Sequence, residues 1–214
     1  MFNYSKMFTE HGKDTKLHDI LSLSTSPLSN PLCVGRHSIR GAICEKCYSF
    51  TYNKMRKPLR EKLYKNTEIL TTAIIPLELI PRLNVLYFRI ESFGDLQNET
   101  QAINYLNLII ANPKTNFGWW TKNPGFIKKA MKTLGLVNKP QNVQIVFSSC
   151  LINHEIKLET VQRAFPFVDK VFTVYDKHYI AENGTVINCG ARDCINCLKC
   201  YENNGVAQIA EKLK

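Results

Sequence analysis

The sequence predicts an α/β fold, with parallel βα units forming a partial barrel or an open sheet and irregular cysteine-rich segments at both ends. Three observations carry this expectation. Four apolar runs with strand character start at residues 85, 117, 143 and 171, at spacings of 32, 26 and 28 residues. Helical patterns separate them, which is the rhythm of consecutive βα units joined by right-handed crossovers. Seven of the eight cysteines fall outside that array, at 33, 44, 47, 189, 194, 197 and 200, with Cys150 inside it. A closed eight-fold barrel takes about 250 residues, so 214 residues suit a partial barrel or an open sheet better. A single domain is expected over 1–214, with an N-terminal cysteine loop at 33–48, a βα core at 84–176 and a cluster loop at 189–201.

The first 32 residues are polar and rich in Ser and Thr, and Ser26-Pro27 and Asn30-Pro31 read as turn signals. Pro58 opens a helix expected over Leu59 to Ala73, with Leu59, Leu63 and Leu70 on one face. Val85 to Ile90 reads as a buried strand, followed by an amphipathic helix from Asn98 to Ile110. The second strand is Phe117 to Thr121. Asn123-Pro124 starts the next helix, whose apolar face is Ile127, Ala130, Met131 and Leu134, with Gly135 as its stop. Val143 to Phe147 is the third strand, Glu155 to Phe165 a third helix, and Val171 to Tyr175 the fourth strand. Asn183-Gly184 then signals a type I′ hairpin, and a short helix from Val206 to Leu213 closes the chain.

Composition narrows the class. Hydrophobic residues make up 44% and aromatics 10%, enough for a core, which excludes global disorder. The longest apolar run, Ala73 to Ile80, holds Pro76 and Glu78 and is too short to span a bilayer. The opening residues Met1 to Lys6 lack the apolar stretch of a secretory signal, so a soluble cytoplasmic chain without membrane contact is expected. Net charge is +10, and residues 1–65 alone hold twelve Lys/Arg against five Asp/Glu. Such a surplus suits nucleic acid, a nucleotide or an acidic partner protein and separates none of them. The run Lys54-Met55-Arg56-Lys57-Pro58-Leu59-Arg60 reads either as nucleic-acid contact or as a solvated helix face.

Cys189-x4-Cys194-x2-Cys197-x2-Cys200 is the strongest chemical signal. In an intracellular chain a disulfide framework is disfavoured, and closely spaced thiolates on an irregular loop suit the corners of an iron–sulfur cube. A structural zinc more often takes two separated Cys-x-x-Cys knuckles. The first group, Cys33, Cys44 and Cys47, supplies three ligands. They would hold a second cluster whose fourth iron is left to a small ligand or to a distant residue such as Cys150, or zinc with His37 as fourth ligand, or share fewer metals with the other group. One or two clusters, of [4Fe-4S] type, are therefore expected. Cys150 reads as a core cysteine at the end of a strand.

In parallel α/β folds chemistry gathers at the carboxyl ends of the strands. Here those ends are Glu91 to Asp95, Thr121-Lys122-Asn123, Ser148-Ser149-Cys150 and Tyr175-Asp176-Lys177. They read as facing one cleft, with Lys122 and Lys177 available to an anion, or as ordinary polar turns in which Asp95 and Asn123 cap helices.

The order Cys33…Cys44-Glu45-Lys46-Cys47-Tyr48, then Tyr87-Phe88-Arg89-Ile90-Glu91-Ser92-Phe93-Gly94-Asp95, then Trp120-Thr121-Lys122 and the finish Cys200-Tyr201, resembles the gene product 88 family of bacteriophages and mobile elements. That resemblance implies origin, and host cytoplasm for a phage-encoded chain, but no reaction. More loosely, three cysteines before a βα array with a Gly-acidic strand end are similar to radical S-adenosylmethionine enzymes. This similarity implies S-adenosylmethionine as cosubstrate, with Gly94, Asp95 and Lys122 as candidate binding residues. The chain departs from it in the ten residues between Cys33 and Cys44. Three functions follow as expectations: an iron–sulfur protein with a structural or redox cluster, a radical-type enzyme, or a zinc-stabilised nucleic-acid-binding protein.

Overall fold

The structure, a computed structural model, describes residues 4–213. Among them six parallel strands form one open sheet in sequential order. They are β1 (Leu21–Leu23), β2 (Tyr87–Ile90), β3 (Asn116–Thr121), β4 (Val143–Ser148), β5 (Lys170–Tyr175) and β6 (Gln208–Lys212). The helices are α1 (Pro31–His37), α2 (Tyr48–Met55), α3 (Lys57–Thr72), α4 (Glu99–Ala111), α5 (Pro124–Thr133), α6 (Leu158–Gln162) and α7 (Lys177–Asn183). The parallel βα reading therefore holds.

Sequential order has a consequence for the two faces. Right-handed crossovers between neighbouring parallel strands all pass over the same side of a sheet. On that side Phe88 and Ile90 of β2, Phe117 and Trp119 of β3, and Val143 and Ile145 of β4 pack in one core with Tyr105, Ile109, Ile127 and Ala130 of α4 and α5. Each large apolar side chain buried there contributes about 1.5–3 kcal/mol. The alternate residues, Arg89, Gly118 and Trp120, point to the opposite face, where Tyr201 of the cysteine-rich loop lies against Gly118 and Trp120.

Four sequence expectations are corrected. The sheet is wider than 84–176, because β1 and β6 lie outside that span. The helix expected at Val206–Leu213 is β6, paired in parallel with β5 from Val171↔Gln208 to Tyr175↔Lys212. Asn183-Gly184 is no hairpin: Asn183 ends α7 and Gly184 caps it with φ +61°, since the left-handed conformation that serves a type I′ turn serves a helix C-cap equally. The expected helix at 155–165 is reduced to α6, five residues long. No helix among the described residues is long and apolar enough to cross a membrane.

Candidate functional site

The four C-terminal thiols share one cavity. Cys189, Cys194, Cys197 and Cys200 line it together with Lys16, Tyr201 and Ile209. Backbone bonds shape the loop that carries them. Cys189 N donates to Ala210 O of β6 at 2.9 Å, and Cys194 N donates to Lys16 O at 2.8 Å. Cys197 N and Leu198 N both turn back to Cys194 O, at 3.2 and 3.0 Å, and Leu198 takes φ +51° to keep the turn tight. Lys16 Nζ stands 3.4 Å from Cys189 Sγ and 3.2 Å from Glu211 Oε1.

Burial pushes the pKa of Cys200 up to about 12, with the other three thiols adding to it and Arg89 opposing. Burial likewise raises Cys189 and Cys194, against the pull of Lys16 on both. A metal binds thiolates and so reverses this preference, because the metal charge replaces the proton. Lys16 and Arg89 are the cations whose charge acts on Cys194.

The three N-terminal cysteines come together through different elements. Asn30 caps α1, its side-chain oxygen accepting from Leu32 N at 3.0 Å and Cys33 N at 3.4 Å. The same side chain donates to Asp95 O at 2.8 Å, which ties α1 to the end of β2. Cys44 lies in a 3₁₀ turn (Ile43–Lys46), and Cys47 joins that turn to α2. Ile43 N donates to Cys150 O at 2.9 Å, so the Cys150 backbone anchors this loop beside β4. Burial raises the Cys33 pKa strongly, with Asp95, Cys44, Glu91 and Cys47 adding to it. Burial also raises Cys44, opposed by Lys122 and Arg36. The N-terminal thiols thus stand at the carboxyl edge of the sheet.

His37 has Nδ1 donating to Cys44 O at 2.7 Å and its ring stacked on Phe50 at 4.0 Å. Among the described residues, no three His, Cys, Asp or Glu side chains form a ready-made ligand set for a metal ion.

Three of the four strand ends do meet. Asp95 accepts from Thr121 Oγ1 at 2.6 Å and from Lys122 N at 3.0 Å, while Lys122 Nζ donates to Ser148 Oγ at 2.7 Å. Asp95 therefore clasps β2 to β3 and leaves the capping of α4 to Asn98. Asn123 makes no side-chain cap bond for α5; it accepts from Arg36 Nη2 at 2.6 Å instead. Gly94 touches Thr25, where a Cβ would stand 2.5 Å from Oγ1. The fourth end differs, since Asp176 caps α7 and Lys177 is exposed.

Sequence reasoning missed Asn30, Arg36, Lys16 and Arg89. Asn30-Pro31 was legible as an N-cap followed by Pro at N1. Nothing local marked the others. Arg89 lies 3.0 Å from the centroid of the Trp120 ring on the cysteine-bearing face, and its charge acts on Cys194, Cys200 and, toward the N-terminal group, Tyr48.

The family model described as Gene product 88 matches residues 5–213. No curated protein and no solved structure matches the chain, so the similarity to radical S-adenosylmethionine enzymes gains no support from them.

Proposed function

The chain belongs to the Gene product 88 family, and from its geometry we propose that it is an iron–sulfur protein. Cys189, Cys194, Cys197 and Cys200 would hold a cluster with a structural or electron-carrying role. The observation that carries this reading is that all four thiols line one cavity. A four-thiolate [4Fe-4S] cube keeps a net charge of about −2, and the Lys16 ammonium at 3.4 Å from Cys189 Sγ is suited to it. Buried Tyr201 and Ile209 line the cavity with the thiols and would limit the access of water and oxygen from their side. The test is anaerobic purification followed by iron and acid-labile sulfide analysis. Iron and sulfide in equal amounts are expected, with the loss of both in Cys200→Ser; zinc alone, or no metal, would overturn the reading.

One observation favours a second, reactive site. Cys33, Cys44 and Cys47 gather at the carboxyl edge of a parallel sheet, where Lys122 and Arg36 act on Cys44. Three thiolates leave one iron of a cube free for an anion or for the aminocarboxylate of S-adenosylmethionine. Gly94, Asp95 and Lys122 are engaged with Thr25, Thr121 and Ser148, so on this reading they hold the strand ends beside the three cysteines in place. A spectral change of the reduced protein on adding S-adenosylmethionine would support it.

A further inference from the structure

Four planar groups stand in a row from the carboxyl edge of the sheet outward along α2. Phe93, just past β2, lies 6.1 Å from Tyr48 between ring centroids, and Tyr48 lies 6.2 Å from Tyr52. The Arg56 guanidinium then sits 4.7 Å above the Tyr52 ring. Positions 48 and 52 follow the i, i+4 spacing that aligns side chains on one helix face, and Arg56 stands in the extended link between α2 and α3. Tyr48 is held by its hydroxyl, which donates to Ser92 O at 2.6 Å. Yet the row is open to solvent: Tyr48 is 58% exposed, Tyr52 42% and the adjacent Met55 78%.

The segment that carries most of the row is strongly basic, with Glu45 and Glu61 at its two ends. Residues 46–60 contain Lys46, Lys54, Arg56, Lys57 and Arg60 and no carboxylate. A helix face that merely solvates itself usually intersperses both signs, and here the first acid after the segment is Glu61, 3.8 Å from Lys57. Arg60 Nη1 donates to Lys54 O at 3.1 Å, which holds the junction of α2 and α3 in shape.

We infer that α2 and the start of α3 form a binding track for single-stranded nucleic acid. Unpaired bases stack on Tyr48 and Tyr52, and the phosphates run beside Lys54, Arg56 and Lys57. Single strands suit this surface because only unpaired bases offer free faces to protein rings, and stacking of this kind tolerates any sequence. An acidic protein would answer the charge but leave the part-exposed Tyr48 and Tyr52 rings without a planar partner. The inference stands apart from the cluster reading, since no residue of the track is one of the seven cysteines.

The test is fluorescence anisotropy of the full chain with labelled oligothymidine and oligouridine, against a duplex of equal length. At about 50 mM salt both single strands should bind and the duplex more weakly, with affinity falling linearly in log–log terms as salt rises. Tyr52→Ala should weaken binding about fivefold or more, Tyr52→Trp should restore it, and paired Lys54→Glu and Lys57→Glu should weaken it and flatten the salt slope. The two oligomers separate DNA from RNA preference. Circular dichroism and iron content of each variant should match wild type, which separates this outcome from any failure of the cluster. No binding at that salt, equal binding of duplex, full displacement by polyglutamate, or indifference to Tyr52→Ala would each overturn the inference.

Discussion

The Tyr201 ring lies so close to Gly118 that a Cβ there would stand 2.9 Å from Cε1. It would also stand 3.0 Å from the Cys200 carbonyl oxygen. Only a residue without a side chain lets the cysteine-rich loop settle on β3, next to the rings of Tyr87 and Trp120. Gly118→Ala must therefore lift the loop or shift the strand, and overpacking of this kind costs about 1–3 kcal/mol. Urea denaturation should show that loss, and the thiols at 189–200 should label faster in metal-free protein. Wild-type stability together with wild-type labelling would show that the loop has slack at this contact.

Glu91 is expected to make stability depend on pH. Its carboxylate is buried and accepts from Thr25 N at 3.1 Å, Thr25 Oγ1 at 2.8 Å, Gln101 Nε2 at 2.8 Å and Tyr105 Oη at 2.6 Å. Burial nonetheless outweighs those four donors and pushes its pKa up to about 7. Because the folded value exceeds the unfolded one, the folded state holds this proton more tightly, and stability falls as pH rises from about 4.5 to about 7. The full effect is on the order of 3 kcal/mol. Glu91→Gln turns an amide toward Thr25 N and should be less stable overall, but its slope over this range should be flatter than that of wild type. Equal slopes in the two proteins would mean that Glu91 is ionised throughout.

The central strands were legible in the sequence because each is an apolar run of ordinary length whose burial any sheet position requires. The outer two were not. β1 is three residues, and its surroundings, Ser22, Ser24, Thr25 and Ser26, are polar yet buried, a pattern that local hydrophobicity reads as loop. β6 is built from Gln208, Ala210, Glu211 and Lys212 around Ile209, residues that favour helix by propensity and are drawn into a strand by pairing with β5. The cysteine groups were visible as spacing. That the C-terminal group lies on the face opposite the α4–α5 core is set by the β5–β6 connection passing over that face, which no local pattern reveals. Arg89 illustrates the limit: in sequence it is one charge inside a strand, and only the fold sets it over Trp120.

Single cysteine changes should divide the eight residues into groups. Cys194→Ser, Cys197→Ser or Cys200→Ser should remove most of the iron of the C-terminal site, because each takes a thiolate from a compact set with few substitutes in reach. Binding free energy of the metal is also folding free energy, so these variants should express poorly. Cys150→Ala should keep its metal, since the observed tie to the N-terminal loop is its backbone oxygen accepting from Ile43 N. Full iron in all three serine variants would remove the C-terminal assignment, and large loss in Cys150→Ala would make Cys150 a ligand.

The N-terminal group decides between a closed scaffold and a reactive site. Cys33, Cys44 and Cys47 supply one thiolate fewer than a cube has irons. Their neighbours hold other partners: His37 Nδ1 donates to Cys44 O, and Asp95 is engaged by Thr121 Oγ1 and Lys122 N. A cluster held here would keep one exchangeable corner, the corner most open to oxygen, whereas the four-cysteine site has none. Air exposure of anaerobically purified protein should therefore release iron in two phases, and Cys44→Ser should lack the faster one while keeping the slower. Optical absorbance with an iron chelator follows both phases in a single trace. One phase only, unchanged in Cys44→Ser, would mean that these cysteines hold no separate open cluster, and the reactive reading would lose its site.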